Sequence, residues 1–309
     1  MKYYIERSTY IEADMSTVRA LVEDFSQWNS WSPWTIIEPD CTVEVEGGKG
    51  EIGHTMSWDG EIIGSGTNTL IENSADKLSY DLRFIKPFKS QANTGFVFEE
   101  VDGKIKVTWF MDSSMPFFLF FMIKPMKAWI GMDYDRGLRM LKEMAEKGEV
   151  KAKTVNNGVV DIKGFSYVGI QRTVPMKDIS EVMPKDFDTL IGEFVIKRGK
   201  SAQNWVSLYP KMDMGKMEMT YIAAISDEGL VGEDIGPEFV RGEVKSSRAL
   251  EIKHDGPYDF IGNAWSMGMM YLRAKKMKQK GYPFEQYWNS PKEVSPAELK
   301  TSIYFPLKN

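Results

Sequence analysis

Only one cysteine occurs in the 309 residues, Cys41. No internal disulfide can form, which fits a reducing, cytoplasmic compartment. Histidine is almost as scarce, with His54 and His254 far apart in the chain. A metal centre needs three or four suitable ligands at workable spacing. None occurs here, so no metal or other cofactor is expected. A serine–histidine–acid triad is equally unsupported: nothing places a serine and an acid beside His254, which reads as the end of a strand. A surplus of positive charge is also missing. Lys and Arg number 39 against 44 Asp and Glu, the net charge is −5 and the pI is about 5.4. A nucleic-acid partner would want a basic face, so none is expected. Lys275, Lys276, Lys278 and Lys280 do cluster. They fall in the last turns of an expected helix, where cations complement the dipole. Long apolar runs are absent too. Met115–Ile123 is the most apolar stretch, well short of the roughly 20 residues that cross a bilayer. Integral membrane association is therefore not expected, and a buried element is preferred over contact with a membrane surface. Met1–Arg7 lacks the apolar core of a secretory signal. Gly64-Ser65-Gly66 is not a phosphate loop, because no Lys-Ser pair and no helix follow it.

What is present suffices for two cores, with 42% hydrophobic and 13% aromatic residues; this length suits about two domains. The first half reads strand, helix, several strands, long helix. Tyr3–Ile11 is strand-like. Asp14 or Ser16 can cap a helix whose apolar positions, Val18, Leu21, Val22 and Phe25, follow the i, i+3, i+4, i+7 spacing. Short strands run from about Thr42 to Asp112, punctuated by Gly47-Gly48, Asp59-Gly60 and Asp102-Gly103. The last pair predicts a tight hairpin. From about Phe118 to Lys147 the period turns helical. The fold class is α+β: an antiparallel sheet grips a long C-terminal helix and leaves a cavity between them. Residues 1–147 form this domain, and the polar stretch 148–159 reads as a linker.

Residues 160–309 repeat a βαββ unit. The first has strands near Phe165–Thr173, Asn204–Tyr209 and Met217–Ile225, with a helix near Lys185–Arg198. The second has strands near Arg248–Lys253, Phe284–Trp288 and Thr301–Pro306, with a helix near Tyr258–Lys280. A pseudo-twofold pair of such units encloses a groove between its halves. Glu285 sits on a short strand among rings. It reads either as a solvated strand acid or as a pocket acid. Phe284 and Tyr287 favour the pocket, since burying a carboxylate idly costs several kcal/mol. Tyr258, Trp265, Tyr287 and Tyr304, with Trp205, Tyr209 and Tyr221, are candidate groove aromatics, taken as a set. Taken singly, each reads equally well as core. In the first half, Trp28, Trp31, Trp34, Trp58 and Trp109 either line or fill the cavity, with Trp31 and Trp34 as candidates for its rim.

Two resemblances follow. Trp28-xx-Trp31-Ser-Pro-Trp34, Gly53-xxxx-Trp58-xx-Glu61-xx-Gly64-x-Gly66, Thr108-Trp109 and Gly131-x-Asp133-xxx-Gly137-Leu138 resemble the START-like helix-grip (SRPBCC) superfamily, of the polyketide cyclase/dehydrase and lipid transport kind. His254-x-Gly256-Pro257-Tyr258, Glu285-x-Tyr287-xx-Ser290-Pro291 and Glu298-Leu299-x-Thr301-x-Ile303-Tyr304-x-Pro306 resemble the GyrI-like family, the effector-binding domain of AraC- and MerR-type regulators. That resemblance implies a ligand pocket with its acid at Glu285. Asn289-Ser290-Pro291 stands where the family has Asn-Asp-Pro. The helix-turn-helix that such regulators carry is replaced by the helix-grip half, so ligand binding is the expectation that transfers, with a small, largely apolar, cationic molecule as the partner. Three outputs stand open. Sensing or sequestration leads. The resemblance also extends to hydrolases of reactive electrophiles, with Glu285 activating water and Tyr258 or Tyr304 steadying charge. A protein-interaction role would show as an exposed acidic or aromatic patch.

Overall fold

A computed structural model describes residues 1–199, 204–226 and 234–308. The chain divides into two compact units, Met1–Lys151 and Ala152–Asn309.

The first unit is a seven-stranded antiparallel sheet. Its strands are β1 (Lys2–Ile11), β2 (Thr42–Glu46), β3 (Thr55–Asp59), β4 (Ser65–Asn73), β5 (Lys77–Lys86), β6 (Ser90–Val101) and β7 (Lys104–Ser114). They lie in the order β1-β7-β6-β5-β4-β3-β2. The Asp102-Gly103 turn joins Val101 to Lys104 with φ of 51° and 74°. Both central residues are left-handed, as a type I′ hairpin requires. Helix α1 (Met15–Glu23) buries Val18, Leu21 and Val22, and α2 (Pro33–Ile37) starts under a Ser32 cap. The long α3 (Ile123–Lys147) packs across β1 and stops at Gly148, whose φ of 77° suits a glycine C-cap.

Rings fill the space between sheet and helix. Trp28, Trp31, Phe96 and Trp109 pack edge to face or tilted at centroid distances of 4.9–6.2 Å, and Trp109 stacks on Tyr134 at 4.2 Å. Trp31 has no exposed surface and its indole donates to Leu21 O at 2.9 Å. It is therefore core, not a cavity rim. Trp34 is half-buried, edge-on to Trp109 and Tyr134. His54 is also structural: Nδ1 donates to Glu46 O at 3.0 Å while Nε2 accepts from Phe25 N.

The apolar stretch before α3 corrects a second expectation. Phe117–Met122 forms a 3-10 turn that buries none of its residues, and Phe117, Phe118, Phe120 and Phe121 are 61–77% exposed. The element expected to be buried is an exposed aromatic patch.

The second unit is an eight-stranded sheet. It comprises β8 (Lys153–Ile162), β9 (Phe165–Pro175), β10 (Asn204–Asp213), β11 (Glu218–Ser226), β12 (Val240–Val244), β13 (Ser247–Asp255), β14 (Phe284–Tyr287) and β15 (Lys300–Pro306). The order is β12-β9-β11-β10-β14-β15-β13-β8, all pairs antiparallel. With α4 (Ile179–Leu190) and α5 (Gly262–Ala274), the repeats β9-α4-β10-β11 and β13-α5-β14-β15 meet along β10 and β14. Most of the segment expected as a linker is strand: β8 pairs with β13 from Lys153 onward. The expected helix over 258–280 is also shorter. Lys275, Lys276, Lys278 and Lys280 lie beyond α5, where Lys278 O and Lys280 N bond to the C-terminal segment. Lys275 is the C-cap of α5, while Lys278 and Lys280 lie past its end. Helix α4 of the first repeat begins earlier than expected and continues into a π-helical stretch, Ile191–Lys197.

The outer strands shape the sheet. β8 runs into β9, at the far side of the sheet, through residues 163–164, and β12 runs into β13 through 245–246. Gly164 N donates to Ser246 Oγ at 2.8 Å where these connections meet. The sheet is thereby bent round into a cup. Its inner face carries Tyr167, Val206, Leu208, Phe284 and Tyr304. Its outer face packs Tyr209, Tyr221, Ile225 and Val168 against α4, with Trp265 of α5 alongside.

Candidate functional site

β14 is short and central, and its pleat decides what each face receives. Glu285 and Tyr287 point to the helix-covered face; Phe284 and Gln286 point into the cup. Register then selects the neighbours of Glu285. Ser207 of β10 lies opposite on one side and Ile303 of β15 on the other. α5 lays Trp265 over this position, and the Tyr258–Phe260 turn brings Tyr258 to its margin.

Glu285 is 4% exposed. Its Oε1 accepts from the Trp265 indole at 2.6 Å, its Oε2 from the Tyr287 hydroxyl at 2.5 Å, and the Tyr209 hydroxyl also bonds to it. Ser207 Oγ lies 3.0 Å from the Tyr287 oxygen. No cation pairs with the acid among the described residues. Burial pushes the carboxyl above its ordinary value, partly offset by the Tyr287, Trp265 and Tyr209 donors. Burial and the Glu285 charge push the Tyr209 and Tyr287 phenols up, and Tyr258 to about 12. Thr301, paired with Tyr287 on the same face, places its buried Oγ1 beside the Tyr258 hydroxyl. Rings close the surround: Tyr209 edge-on to Trp265 at 4.8 Å, and Tyr258 and Phe187 edge-on to Tyr287 at 5.8 and 5.7 Å.

The structure brings Glu285, Tyr287, Trp265, Tyr209 and Tyr258 together, with Trp205 beside them as the cross-strand partner of Tyr287. It does not bring Tyr221 or Tyr304. Tyr221 donates to the buried Asp186 at 2.6 Å, which Arg172 also holds. Tyr304 pairs with Phe284, not Glu285, so its side chain lies in the cup, bonded to Glu251 at 3.0 Å. Trp31 and Trp34 belong to the first unit. His254 is buried and structural: Nε2 bonds Pro257 O at 3.0 Å, and burial lowers its pKa.

Sequence reasoning passed over Ser207, Thr301 and the acid on the other face, Glu251. Glu251 did leave a signal: it interrupts the apolar run Ala249-Leu250-Glu251-Ile252. Its Oε1 accepts from Ser302 at 2.8 Å and from Tyr304, and its Oε2 from Asn157 at 2.5 Å. Neither Glu285 nor Glu251 belongs to a cluster that could hold a metal, and none occurs among the described residues.

Both units are thus α+β domains that fold a sheet about a helix or a cavity. Residues 4–146 match the family described as polyketide cyclase/dehydrase and lipid transport, and residues 159–308 match the GyrI-like small molecule binding domain. The chain joins one domain of each family in tandem. Comparison with curated proteins returned no match. Among solved structures, an EcmrR–DNA complex is similar at 17% identity and a TM-score of 0.41, covering 61% of this chain and 66% of that one. The Aha1 dimer from Colwellia psychrerythraea is similar at 16% and 0.37, covering 48% and 99%. SAV2435 bound to tetraphenylphosphonium is similar at 15% and 0.38, covering 49% and 93%. No helix among the described residues is long and apolar enough to cross a membrane.

Proposed function

We propose that the GyrI-like domain binds apolar organic cations at Glu285, and that sequestration or sensing of such molecules is the output. The observation that carries this reading is a buried carboxylate held by an indole and phenols, with no cation beside it among the described residues. Such an acid stands uncompensated, at a cost of several kcal/mol. A ligand cation would offset that cost, and the rings of Trp265, Tyr258 and Tyr287 would face its apolar body. Because the site is sealed, ligand entry would displace Trp265 or Tyr258.

Calorimetric titration with tetraphenylphosphonium, an apolar cation without hydrogen-bond donors, tests this. Wild type should bind, and Glu285→Gln should bind at least tenfold more weakly. Affinity should rise with pH as Glu285 ionises, and the variant should show no such dependence. Equal affinity of the two proteins would sink the reading.

One observation supports hydrolysis as the second reading: the Tyr287 and Tyr209 hydroxyls converge on Glu285. A base with two phenols beside it could activate water and steady developing charge. Tyr304, on the other face, is not available for this. An electrophile consumed by wild type and spared by Glu285→Gln, followed by mass spectrometry, would favour hydrolysis over binding alone.

A further inference from the structure

The cup holds a cavity of about 920 Å³ on the face of the sheet opposite Glu285. That volume suits a drug-sized molecule. Glu251 lines it, only 6% exposed. Asn157, Ser302 and Tyr304 donate to its oxygens, and all are neutral groups. Two other buried acids of this chain sit with a cation, Asp186 with Arg172 and Glu143 with Lys147, whereas Glu285 does not. Glu251 has none among the described residues. If its only task were to tie β13 to β8 and β15, a neutral amide would serve at lower desolvation cost. The charge has a use only if something positive comes to it.

The remaining walls say what else that molecule carries. Val160, Ile162 and Phe165 are half-buried and give an apolar side. On the opposite side Gln286 Nε2 donates to Asn204 Oδ1 at 2.8 Å, and Asn204 Nδ2 donates to Ser226 Oγ at 2.8 Å. Lys163 and Lys245 at the connections are balanced by Asp161 and Glu243, so Glu251 sets the sign of the interior.

We propose that the cup is a second ligand site, distinct from Glu285, for a small amidinium- or ammonium-bearing molecule with a flat apolar body. Its cationic group hydrogen-bonds Glu251, its ring lies against Phe165 and Ile162, and the Gln286–Asn204–Ser226 row accepts or donates to any polar substituent.

The test uses the full chain, in wild type and in Glu285→Gln so that the other acid is silent. The probe is benzamidine, with benzamide as its neutral isostere, followed by calorimetry. Benzamidine should bind both proteins with similar affinity, and benzamide should bind at least tenfold more weakly. Adding Glu251→Gln should weaken benzamidine at least tenfold. Nuclear Overhauser contacts from benzamidine to the rings of Phe165 and Tyr304 should appear in the unsubstituted chain, a readout that holds even if the Glu251 variant folds poorly. Absence of binding, equal binding of benzamide, loss of binding in Glu285→Gln alone, full affinity in the Glu251 variant, or absence of those ring contacts would each overturn the proposal.

Discussion

Glu285 and Asp186 lie in the same unit, are 4% and 1% exposed, and differ in what faces them. Asp186 has the Arg172 guanidinium at 2.7 Å and the Tyr221 hydroxyl at 2.6 Å. Glu285 has an indole and phenols. The first acid is compensated and the second is not, so their variants should behave oppositely. Because the folded-state pKa of Glu285 is raised, its contribution to stability is present below its ordinary value and is lost as pH rises through the folded value. Glu285→Gln should therefore match wild type near pH 4 and melt at the same or a higher temperature at pH 8, as thermal unfolding across that range would show. A wild type more stable than the variant at pH 8 would contradict this. Tyr221→Phe should instead cost about 1.5–3 kcal/mol in denaturant unfolding, the worth of a hydrogen bond to a charged group, and leave tetraphenylphosphonium affinity unchanged. Much of the Glu285 cluster was legible, because Glu285 and Tyr287 share a face by simple alternation. Tyr304 and Tyr221 were not. Which aromatics share that face depends on pairing register, and the Phe284–Tyr304 pair turns Tyr304 into the cup.

At the scale of elements, α5 carries Trp265, and one glycine sets how closely it lies on the sheet. A Cβ on Gly268 would collide with the Phe305 ring of β15. Gly268→Ala should lift the helix, cost about 1–3 kcal/mol as overpacking does, and weaken tetraphenylphosphonium by withdrawing Trp265. Denaturant unfolding and calorimetry on one preparation would check both. Phe260, Ala264, Met267, Tyr271 and Ala274 share one helical spacing in the sequence; the first three are buried and Tyr271 and Ala274 half-buried. The Asp102-Gly103 hairpin was readable from turn chemistry alone. β8 was hidden because Asn156-Asn157-Gly158 has linker composition. Its Gly158, with φ of 79°, sits where the β8–β13 register shifts, and the strand lies at the sheet edge, where polar residues face solvent. The Phe117–Met122 turn was misread for the opposite reason: apolar composition says nothing of what is available to cover it.

For the whole molecule, that turn is the aromatic patch which would favour a protein-interaction role. Serine at Phe117, Phe118, Phe120 and Phe121 together should change stability little, since each ring is already exposed. The same variant should lower the fluorescence of anilinonaphthalene sulfonate markedly. A large fall in melting temperature would mean that these rings are packed in solution. Two domains of small-molecule-binding character in one chain, with an acid on each face of the second sheet, make β14 the strand where separate demands meet. Its four residues alternate between faces, Phe284 and Gln286 to the cup and Glu285 and Tyr287 to the helices. Substitutions can therefore retune either face alone. Inserting or deleting one residue within it would exchange the two sets, so an indel there should abolish both at a stroke, and length drift in this strand should be tolerated far less than sequence drift.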